Sequence, residues 1–217
     1  MNRKIVFLSL VITALTLVQC KKEMRITRSE IEIKEGTVMY KGAKYTGFVY
    51  ENYENYSLKY EARFTEGRPD GLSVSYYTNG KYDEKTSCDQ GKKNGPYEKF
   101  YDTGEKQIIA THAYGERDGF FEAYHKNGLI ALRGTYNVGK LNGTYEQYYD
   151  NGQLKSKADW NEGIKHGTME EYHRNGQLKS VGQYDMGYPV GEFKFYHDDG
   201  VLWVTDWYED GKKIKSE

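Results

Sequence analysis

Aliphatic residues are scarce in this sequence of 217 residues, because 22 of the side chains in its hydrophobic fraction of 37% are tyrosines. Counting glycine in place of tyrosine gives about 38%, below the ~45–50% of an ordinary globular domain, so an aliphatic core must be thin. The 24 glycines are spread along the whole chain and leave few windows for an uninterrupted helix. Composition therefore argues against an all-helical protein or a Rossmann-like enzyme and favours a β-rich fold.

An excess of one charge is lacking as well, since 31 basic and 32 acidic residues give a formal net charge of −1. Affinity for a phosphate backbone needs a clustered excess of lysine and arginine. We therefore expect no nucleic-acid partner. Cysteine is nearly absent, with Cys20 and Cys88 alone.

The apolar run 5–18 follows two basic residues at the N-terminus. At roughly 14 residues it is shorter than the ~20 of a membrane-spanning helix, and the basic-then-apolar order is typical of a secretory signal. The segment 17–20, Leu-Val-Gln-Cys, resembles the lipobox of bacterial lipoproteins, in which the cysteine is diacylated and becomes the mature N-terminus. The family usually has a small residue where this chain has Gln19. A plain signal peptide and an uncleaved anchor are the alternatives.

We therefore expect residues 1–20 to be a lipoprotein signal peptide with Cys20 as the lipidation site. The lipid would anchor the protein to a membrane of the bacterial cell envelope, either in the periplasm or at the surface. Cys88 would then have no partner for an intramolecular disulfide.

Glycine recurs with a period of 24 residues and without insertion through most of the chain, which indicates a repeat architecture. A second glycine follows four residues after the first. Extending this frame back to residue 43 gives seven repeats over 43–210, whose positions we number from 1 at residues 43, 67, 91 and onward. The twelve glycines that define the frame are Gly67, Gly71, Gly91, Gly95, Gly115, Gly119, Gly139, Gly143, Gly163, Gly167, Gly187 and Gly191.

Positions 13 and 14 are Asn-Gly, Asp-Gly or Thr-Gly in six of the seven repeats. This dipeptide between alternating runs predicts a β-hairpin with a two-residue type I′ turn. Such a turn places position 11 opposite 16, 9 opposite 18, 7 opposite 20 and 5 opposite 22, all on one face. The register pairs bulky residues at positions 7 and 22 with small residues at positions 20 and 5, and it adds the leucines of position 16 to the same apolar face.

The predicted fold is all-β, an elongated single-layer antiparallel meander of about seven 24-residue hairpins. Residues 21–42 are expected to form a tether over 21–28 and N-terminal capping strands over 29–42. Residues 211–217 form a charged C-terminal tail that blunts the last edge against sheet-to-sheet pairing.

Aromatic side chains supply the candidate binding residues. Position 10 is aromatic in six repeats, and the predicted register sends it to the more hydrated face. The last repeat adds two tryptophans, which we expect on that same face as an exposed patch. The candidates are Tyr124, Tyr148, Tyr172, Tyr196, Trp203 and Trp207. The alternatives are that the tyrosines pack against one another within the sheet and that the tryptophans seal its C-terminal end.

No residue cluster points to catalysis or to a cofactor. His125, His173 and His197 share position 11, but equivalent positions in adjacent hairpins lie roughly 9.6 Å apart, too far for one zinc ion. We interpret them as replacements for a stacking tyrosine and expect no metal site. The glutamates of position 8 are separated by the same spacing, which makes a glycosidase-type pair improbable. The sequence is interpreted as a protein that is not an enzyme.

The recurring pattern Tyr-x-x-Asn-Gly-x-Leu followed by Gly-x-x-x-Gly, as in 148–154 and 163–167, resembles the MORN repeat. It is most similar to the bacterial variant class labelled the YwqK antitoxin-like family. The resemblance implies a curved single-layer sheet used for protein or lipid contact and for scaffolding, with no catalytic residues to carry over. We therefore expect a non-catalytic cell-envelope lipoprotein that binds a protein partner. The alternatives are an antitoxin or immunity protein for one cognate toxin, and a carbohydrate-binding module that uses the aromatic ladder on a glycan.

Overall fold

A computed structural model describes residues 23–217, so the predictions for residues 1–20, Cys20 included, lie outside the described part. That part consists of twenty strands and one 3₁₀ turn, η1 (Arg28–Glu30). Within it, no helix is long and apolar enough to cross a membrane. The strands are β1 (Arg25–Thr27), β2 (Glu32–Lys34), β3 (Thr37–Tyr40), β4 (Ala43–Lys44), β5 (Gly47–Asn52), β6 (Leu58–Thr65), β7 (Arg68–Tyr76), β8 (Tyr82–Asp89), β9 (Lys92–Phe100), β10 (Lys106–Ala113), β11 (Glu116–Tyr124), β12 (Ile130–Asn137), β13 (Lys140–Leu141), β14 (Gly143–Tyr148), β15 (Leu154–Asn161), β16 (Ile164–Tyr172), β17 (Leu178–Asp185), β18 (Tyr188–Tyr196), β19 (Leu202–Glu209) and β20 (Lys212–Ser216).

The main sheet has 17 strands and confirms the predicted all-β hairpin meander. From β5 to β20 consecutive strands pair antiparallel, except that β13 and β14 both pair with β12, and β14 then pairs with β15. Strand β1 joins this sheet parallel to β5. Each repeat supplies two adjacent strands, so the sheet grows by one hairpin per repeat.

The predicted register holds through the body of each hairpin. In the fifth repeat Tyr145 (position 7) lies opposite Ala158 (position 20), and Gly143 (position 5) lies opposite Trp160 (position 22). Bulky side chains therefore cover small ones, as expected. Positions 5, 7, 9, 18, 20 and 22 form what we call the packed face, and positions 6, 8, 10, 19 and 21 form the polar face.

The turn at positions 13 and 14 differs from the predicted type I′ turn. In the fourth repeat the amide of His125 (position 11) donates to the carbonyl of Leu129 (position 15) over 2.8 Å, and the amide of Gly128 donates back to His125 over 2.9 Å. Only Gly128 has a positive φ, 83°, whereas Asn127 does not. This is a three-residue loop with a left-handed glycine and a bulge. The Asn127 carboxamide instead accepts a hydrogen bond from the Leu129 amide at 3.2 Å.

Two-residue turns occur at the other end of the strands, at positions 24 and 1. Val138 and Gly139 have φ values of 44° and 78°, and the flanking residues Asn137 and Lys140 pair directly. Two consecutive positive φ values are the mark of a type I′ turn. The residues at position 24 are Glu, Gln, Tyr, Val, Glu, Met and Asp in the seven repeats, so no residue type at this position indicates the turn.

The bulge moves position 16 to the polar face, so its predicted place on the apolar face is wrong. Position 10 pairs with 16, and positions 17 and 18 together oppose position 9, as in Tyr76–Tyr82 and Ser75–Glu84. The Tyr82 ring centroid accordingly lies 5.3 Å from that of Tyr76 and 5.9 Å from that of Phe100 in the next hairpin. The Tyr82 side chain therefore bridges two position 10 side chains.

The N-terminal end has a second layer. Strands β2, β3 and β4 form a separate three-stranded sheet. Residues 21–28 were expected to form a tether, but 25–27 form strand β1. Its pairing with β5 leaves Ile26 only 4% exposed. The difference arises because Ile26 gains burial that an extended tether would forgo. The core at this end consists of Ile26, Val38, Tyr45, Val49, Ala62 and Phe64. At the opposite end the predicted charged tail forms β20 on the edge of β19.

Candidate functional site

The tyrosines of position 10 form hydrogen-bonded pairs with glutamates on the polar face. The hydroxyls of Tyr148 and Tyr172 each donate over 2.8 Å to the glutamate two residues earlier, and Tyr124 makes the same bond to Glu122. These three rings are half-buried. Burial, together with the neighbouring carboxylates, raises the pKa of Tyr124 and of Tyr172 to about 12. The tyrosines therefore stay neutral donors at physiological pH.

Arg133 joins one of these pairs into a network. Its guanidinium Nη2 lies 2.6 Å from Glu146 Oε2 and 2.8 Å from the Tyr148 hydroxyl. Burial opposes ionisation of Glu146, but the hydrogen bonds from Arg133 and Tyr148 outweigh it, so the pKa of Glu146 is lowered. The hydroxyls of Tyr124, Tyr148 and Tyr172 thus already have partners within the sheet. This arrangement favours the interpretation that the tyrosines pack within the sheet over their use as a stacking platform for a glycan.

The three aromatic candidates of the last repeat do not form one patch. Tyr196 pairs with Leu202, and Trp207 pairs with Glu192 on the polar face, where Lys215 Nζ lies 4.6 Å from the Trp207 ring. Trp203 occupies the bulge position and turns to the packed face, where its ring lies 5.9 Å from that of His197. The expectation that Trp203 shares the face of Tyr196 and Trp207 is therefore wrong, because the bulge reverses it.

A groove on the packed face surrounds Trp203. Its volume is about 450 Å³. Its lining residues are His173, Lys179, Phe195, Tyr196, His197, Asp198 and Trp203. Trp203 is 67% exposed, whereas Phe195 beside it is half-buried. The groove therefore offers an apolar surface next to the last turn.

The position 11 residues make a hydrogen-bond ladder that the sequence analysis missed. Each reaches the main-chain carbonyl of position 10 in the following hairpin, for example Tyr101 to Tyr124 at 2.7 Å and His173 Nε2 to Tyr196 at 2.9 Å. The residues that do so are Tyr53, Tyr77, Tyr101, His125, Tyr149 and His173. Tyrosine and histidine can replace each other at position 11 because both carry a donor at the tip of the ring. The restriction of position 11 to these two residue types was the feature of the sequence from which the ladder could have been predicted.

The same ladder accounts for the histidines. With Nε2 facing a carbonyl, His125 and His173 serve as tyrosine substitutes through hydrogen bonding and not through the stacking that we expected. Within residues 23–217 no three histidine, cysteine, aspartate or glutamate side chains are grouped to hold a metal ion.

The turns at both ends of the strands are also linked from repeat to repeat. The carboxamide of Asn151 donates to the carbonyl of Arg174 in the next loop over 3.0 Å. At the other end of the strands, the amide of Gly163 donates to the carbonyl of Leu141 over 2.8 Å. The glycines of position 5 lie within strand irregularities at positive φ, for example 95° at Gly119. The glycines of position 1 therefore allow the turns and link them to the neighbouring repeat, whereas the glycines of position 5 allow the irregularities within the strands.

The family model for the MORN repeat variant matches residues 141–162, 165–186 and 189–206. These segments fall in the same frame as the hairpins, one after another. These three repeats are similar to the MORN repeat variant. MORN repeats indicate a repeat protein for binding or scaffolding, and the repeat family is generally non-catalytic. No curated protein matches this chain.

Proposed function

We propose that this protein is a non-catalytic cell-envelope lipoprotein whose MORN-variant sheet binds a protein partner. The observation that carries the proposal is the exposed apolar cluster of the last hairpin, three consecutive residues of which Leu202 lies on the polar face and Trp203 on the packed face. Val201, Leu202 and Trp203 are 58%, 50% and 67% exposed. Exposed apolar residues that lie together often mark a site of protein contact. Tryptophan is also enriched among the residues that contribute most to binding.

The lipid anchor would sit near the end of the sheet that carries the second layer. Strand β1 begins at Arg25, a few residues after Cys20, and pairs with β5 of the first hairpin. At about 4.8 Å per strand the sheet then extends over roughly 70 Å to β20. The last repeat, with its exposed apolar cluster, therefore lies far from the anchored end and is accessible to a partner.

The anchor is tested by detergent phase partitioning of the protein made in its native envelope. We expect the wild-type protein in the detergent phase and Cys20→Ala in the aqueous phase. Cys88→Ala is the matched control and should partition like the wild type. A wild-type protein found in the aqueous phase would refute lipidation.

The partner is sought by crosslinking in the native envelope, followed by affinity purification and mass spectrometry. Because Trp203 and Trp207 lie on opposite faces, Trp203→Ala and Trp207→Ala are tested separately. We expect one dominant crosslinked protein that is lost in Trp203→Ala and retained in Trp207→Ala. If no protein crosslinks to any form, partner binding fails as the function.

The same experiment separates the alternative functions. A single toxin as the dominant crosslinked protein would favour the antitoxin or immunity function. A carbohydrate-binding module predicts instead a glycan whose binding is lost in Tyr172→Ala. The hydrogen-bonded state of the Tyr172 hydroxyl gives that alternative less support.

A further inference from the structure

The turns at positions 24 and 1 lie at one end of the strands, the turn end, and the loops at positions 13 and 14 lie at the other, the loop end. Four successive turns at the turn end each carry a large apolar side chain that is at least half exposed. At ~4.8 Å per strand and two strands per repeat, these four turns span roughly 29 Å. We call their side chains the apolar row: Tyr114 (80% exposed), Val138 (68%), Ile164 (50%), Met186 (77%) and Tyr188 (63%).

The apolar row continues from one turn to the next. Side chains at position 2 lie over the position 1 glycine of the following turn. A Cβ built on Gly187 would lie 3.3 Å from Ile164 Cγ2, and one built on Gly211 would lie 2.8 Å from Tyr188 Cδ1. Ile164 therefore lies against the turn that carries Met186 at its tip, and the row presents a connected apolar surface.

Packing within the sheet does not account for the side chains at the tips of these turns. Tyr114, Val138 and Met186 have φ values of 52°, 44° and 46°. A positive φ suits glycine, asparagine and aspartate, and it strains a β-branched residue such as valine. All three side chains are exposed, so burial within the protein does not offset this strain. Strain that is kept in this way is typical of positions with a function.

The loop end of the same repeats has a different character. Its Asn-Gly loops follow Lys126, Asp150 and Arg174, and Leu129 is the exposed apolar residue there, at 43%. The asparagine side chains of these loops already bond to the next loop, as Asn151 does to the carbonyl of Arg174. The two ends of the strands are therefore suited to different surroundings.

The charges beside the apolar row are balanced. The segments 113–117, 137–141, 161–165 and 185–189 contain three basic and three acidic residues. The basic residues are Arg117, Lys140 and Lys165, and the acidic residues are Glu116, Glu162 and Asp185. A balanced surface gains little from an acidic or a basic partner, but it matches a layer of zwitterionic lipid headgroups, which carry both charges.

The N-terminal strand enters the sheet at the turn end. Strand β1 runs parallel to β5, beginning with Arg25 opposite Phe48 at position 6. Just before it, the Glu23 carboxylate lies 3.0 Å from Arg63 Nη2, at position 21. Position 21 is three residues from the turn, or about 10 Å. Cys20 precedes Glu23 by three residues, which can also span about 10 Å. A lipid on Cys20 can therefore reach the level of the turns.

We propose that the apolar row inserts into the surface of the membrane that holds the lipid anchor, so that the sheet stands on its turn end. This inference rests on the anchor of the proposed function and specifies how the sheet is oriented on it. Valine, isoleucine and methionine enter the boundary of the acyl chains, and the tyrosines keep their hydroxyls among the headgroups. Trp203, at the loop end, then points away from the membrane toward a partner.

The test places a fluorescent nitrobenzoxadiazole label at the turn end of the lipidated protein. The protein is reconstituted in vesicles of phosphatidylethanolamine and phosphatidylcholine, with nitroxide quenchers on a fraction of the headgroups. The label is attached to Glu162→Cys in a Cys88→Ala background, at a polar tip between Val138 and Met186, so the apolar row stays intact. The matched control carries the label on Gln153→Cys at the loop end. We expect blue-shifted, quenched emission at 162 and neither effect at 153.

A second set of variants removes the apolar tips without straining the turns. In Tyr114→Asn/Val138→Asn/Met186→Asn, asparagine accepts the positive φ, and circular dichroism should show an unchanged fold. The equilibrium between inserted and released rows should shift by about 100-fold, from several-fold per side chain, and quenching at 162 should fall to the level of 153. Leu129→Asn, at the loop end, should leave quenching at 162 unchanged. Quenching should persist at high salt, because the contact is apolar.

Four outcomes would overturn the proposal. They are equal quenching at 162 and 153, no quenching at 162, full quenching in the triple variant, and loss of quenching at high salt. A photocrosslinker at 162 that captures a protein instead of lipid would overturn it as well, because the occupant of the turn end would then be a protein.

Failure of this inference can be told apart from failure of the proposed function. A protein in the detergent phase whose label at 162 is not quenched would keep the anchor and overturn insertion of the apolar row. A protein without lipid whose label at 162 is quenched on addition of vesicles would support the row while the anchor fails. Quenching at 162 without any crosslinked protein would support the row while partner binding fails.

Discussion

The substitution Gly182→Ala tests the central packing rule of the repeat, in which a bulky residue covers a small one. A Cβ built on Gly182 would lie 2.3 Å from Cδ1 and Cε1 of Phe193, and 2.5 Å from its Cγ. Real Cβ atoms do not approach other atoms so closely, so the Phe193 ring must move. Tyr184 and Tyr208 flank that ring with centroid distances of 5.6 and 5.0 Å. The ring therefore has little room to move.

The expected magnitude follows from two opposing effects. Overpacking of a close-packed site costs about 1–3 kcal/mol. Replacing glycine by alanine where the backbone allows it contributes about 0.4–1 kcal/mol, because the unfolded chain loses freedom. Ala110 opposite Phe121 shows that an alanine can face a phenylalanine elsewhere in the sheet. We therefore expect Gly182→Ala to lower the free energy of unfolding by about 1–2 kcal/mol.

Equilibrium urea unfolding, followed by circular dichroism, measures this change. The background Phe193→Leu supplies the control, because a smaller side chain should remove the clash. In that background Gly182→Ala should be neutral or stabilising, and the double-mutant cycle gives the coupling energy. An increase in stability on Gly182→Ala in the wild-type background would refute the packing rule.

Three further predictions concern the turns, the ladder and the C-terminal strand. Val138→Asn should stabilise the protein by about 1 kcal/mol, since a β-branched residue at φ 44° is strained; a fall in urea midpoint would contradict this. His173→Phe should cost about 1–3 kcal/mol because it leaves a main-chain carbonyl unpaired, whereas His197→Phe, without an acceptor, should be nearly neutral; equal losses would refute the ladder. The Ser216 hydroxyl, with help from a lysine, holds the pKa of Asp206 below its usual value. The ionised Asp206 carboxylate therefore stabilises the folded state at neutral pH, and this contribution is lost as the pH falls through the lowered pKa of Asp206. The protection factors of the amides at 212–216 in hydrogen exchange should therefore fall in acid, and Asp206→Asn should remove this pH dependence.

Side-chain volume made the register predictable from the sequence. Tyr145 over Ala158 and Trp160 over Gly143 leave one pairing in which large residues face small ones. A slip by one residue would reverse the faces, so the pattern fixes the strand order and the pairing together. The repeat period and the hairpin count followed from the same reasoning.

Turn geometry was not predictable from the same dipeptides. Asn-Gly suits a type I′ turn, but a three-residue loop also needs one left-handed glycine, such as Gly128. What decides between them lies in the neighbouring repeat, because the Asn127 carboxamide bonds to the carbonyl of Asp150 in the next loop over 2.5 Å. A contact with a residue 23 positions away carries no local sequence signal.

The candidate site was predictable by residue type and not by face. Trp203 and Trp207 are four residues apart, which in a regular strand places them on one side. The bulge inserts an unpaired residue at position 17, so Trp203 joins Phe195 while Trp207 pairs with Glu192. The aromatic residues of the last repeat can be named from the sequence, but the face that each one occupies depends on the turn geometry, which the sequence did not determine.

The bulge also explains how the repeats can differ in surface without differing in fold. Strand pairing is fixed at positions 5, 7, 20 and 22, and neighbouring repeats are joined through positions 1, 11 and 13. Position 17 takes part in neither, because it is the extra residue of the bulge and projects beside the loop. Lys155, Lys179 and Trp203 can therefore occupy equivalent places in successive hairpins while the pairing around them stays the same. A large apolar residue such as Trp203 can therefore be placed here at little cost to the sheet, which is consistent with the partner contact that we propose for it, on a backbone geometry that recurs from hairpin to hairpin.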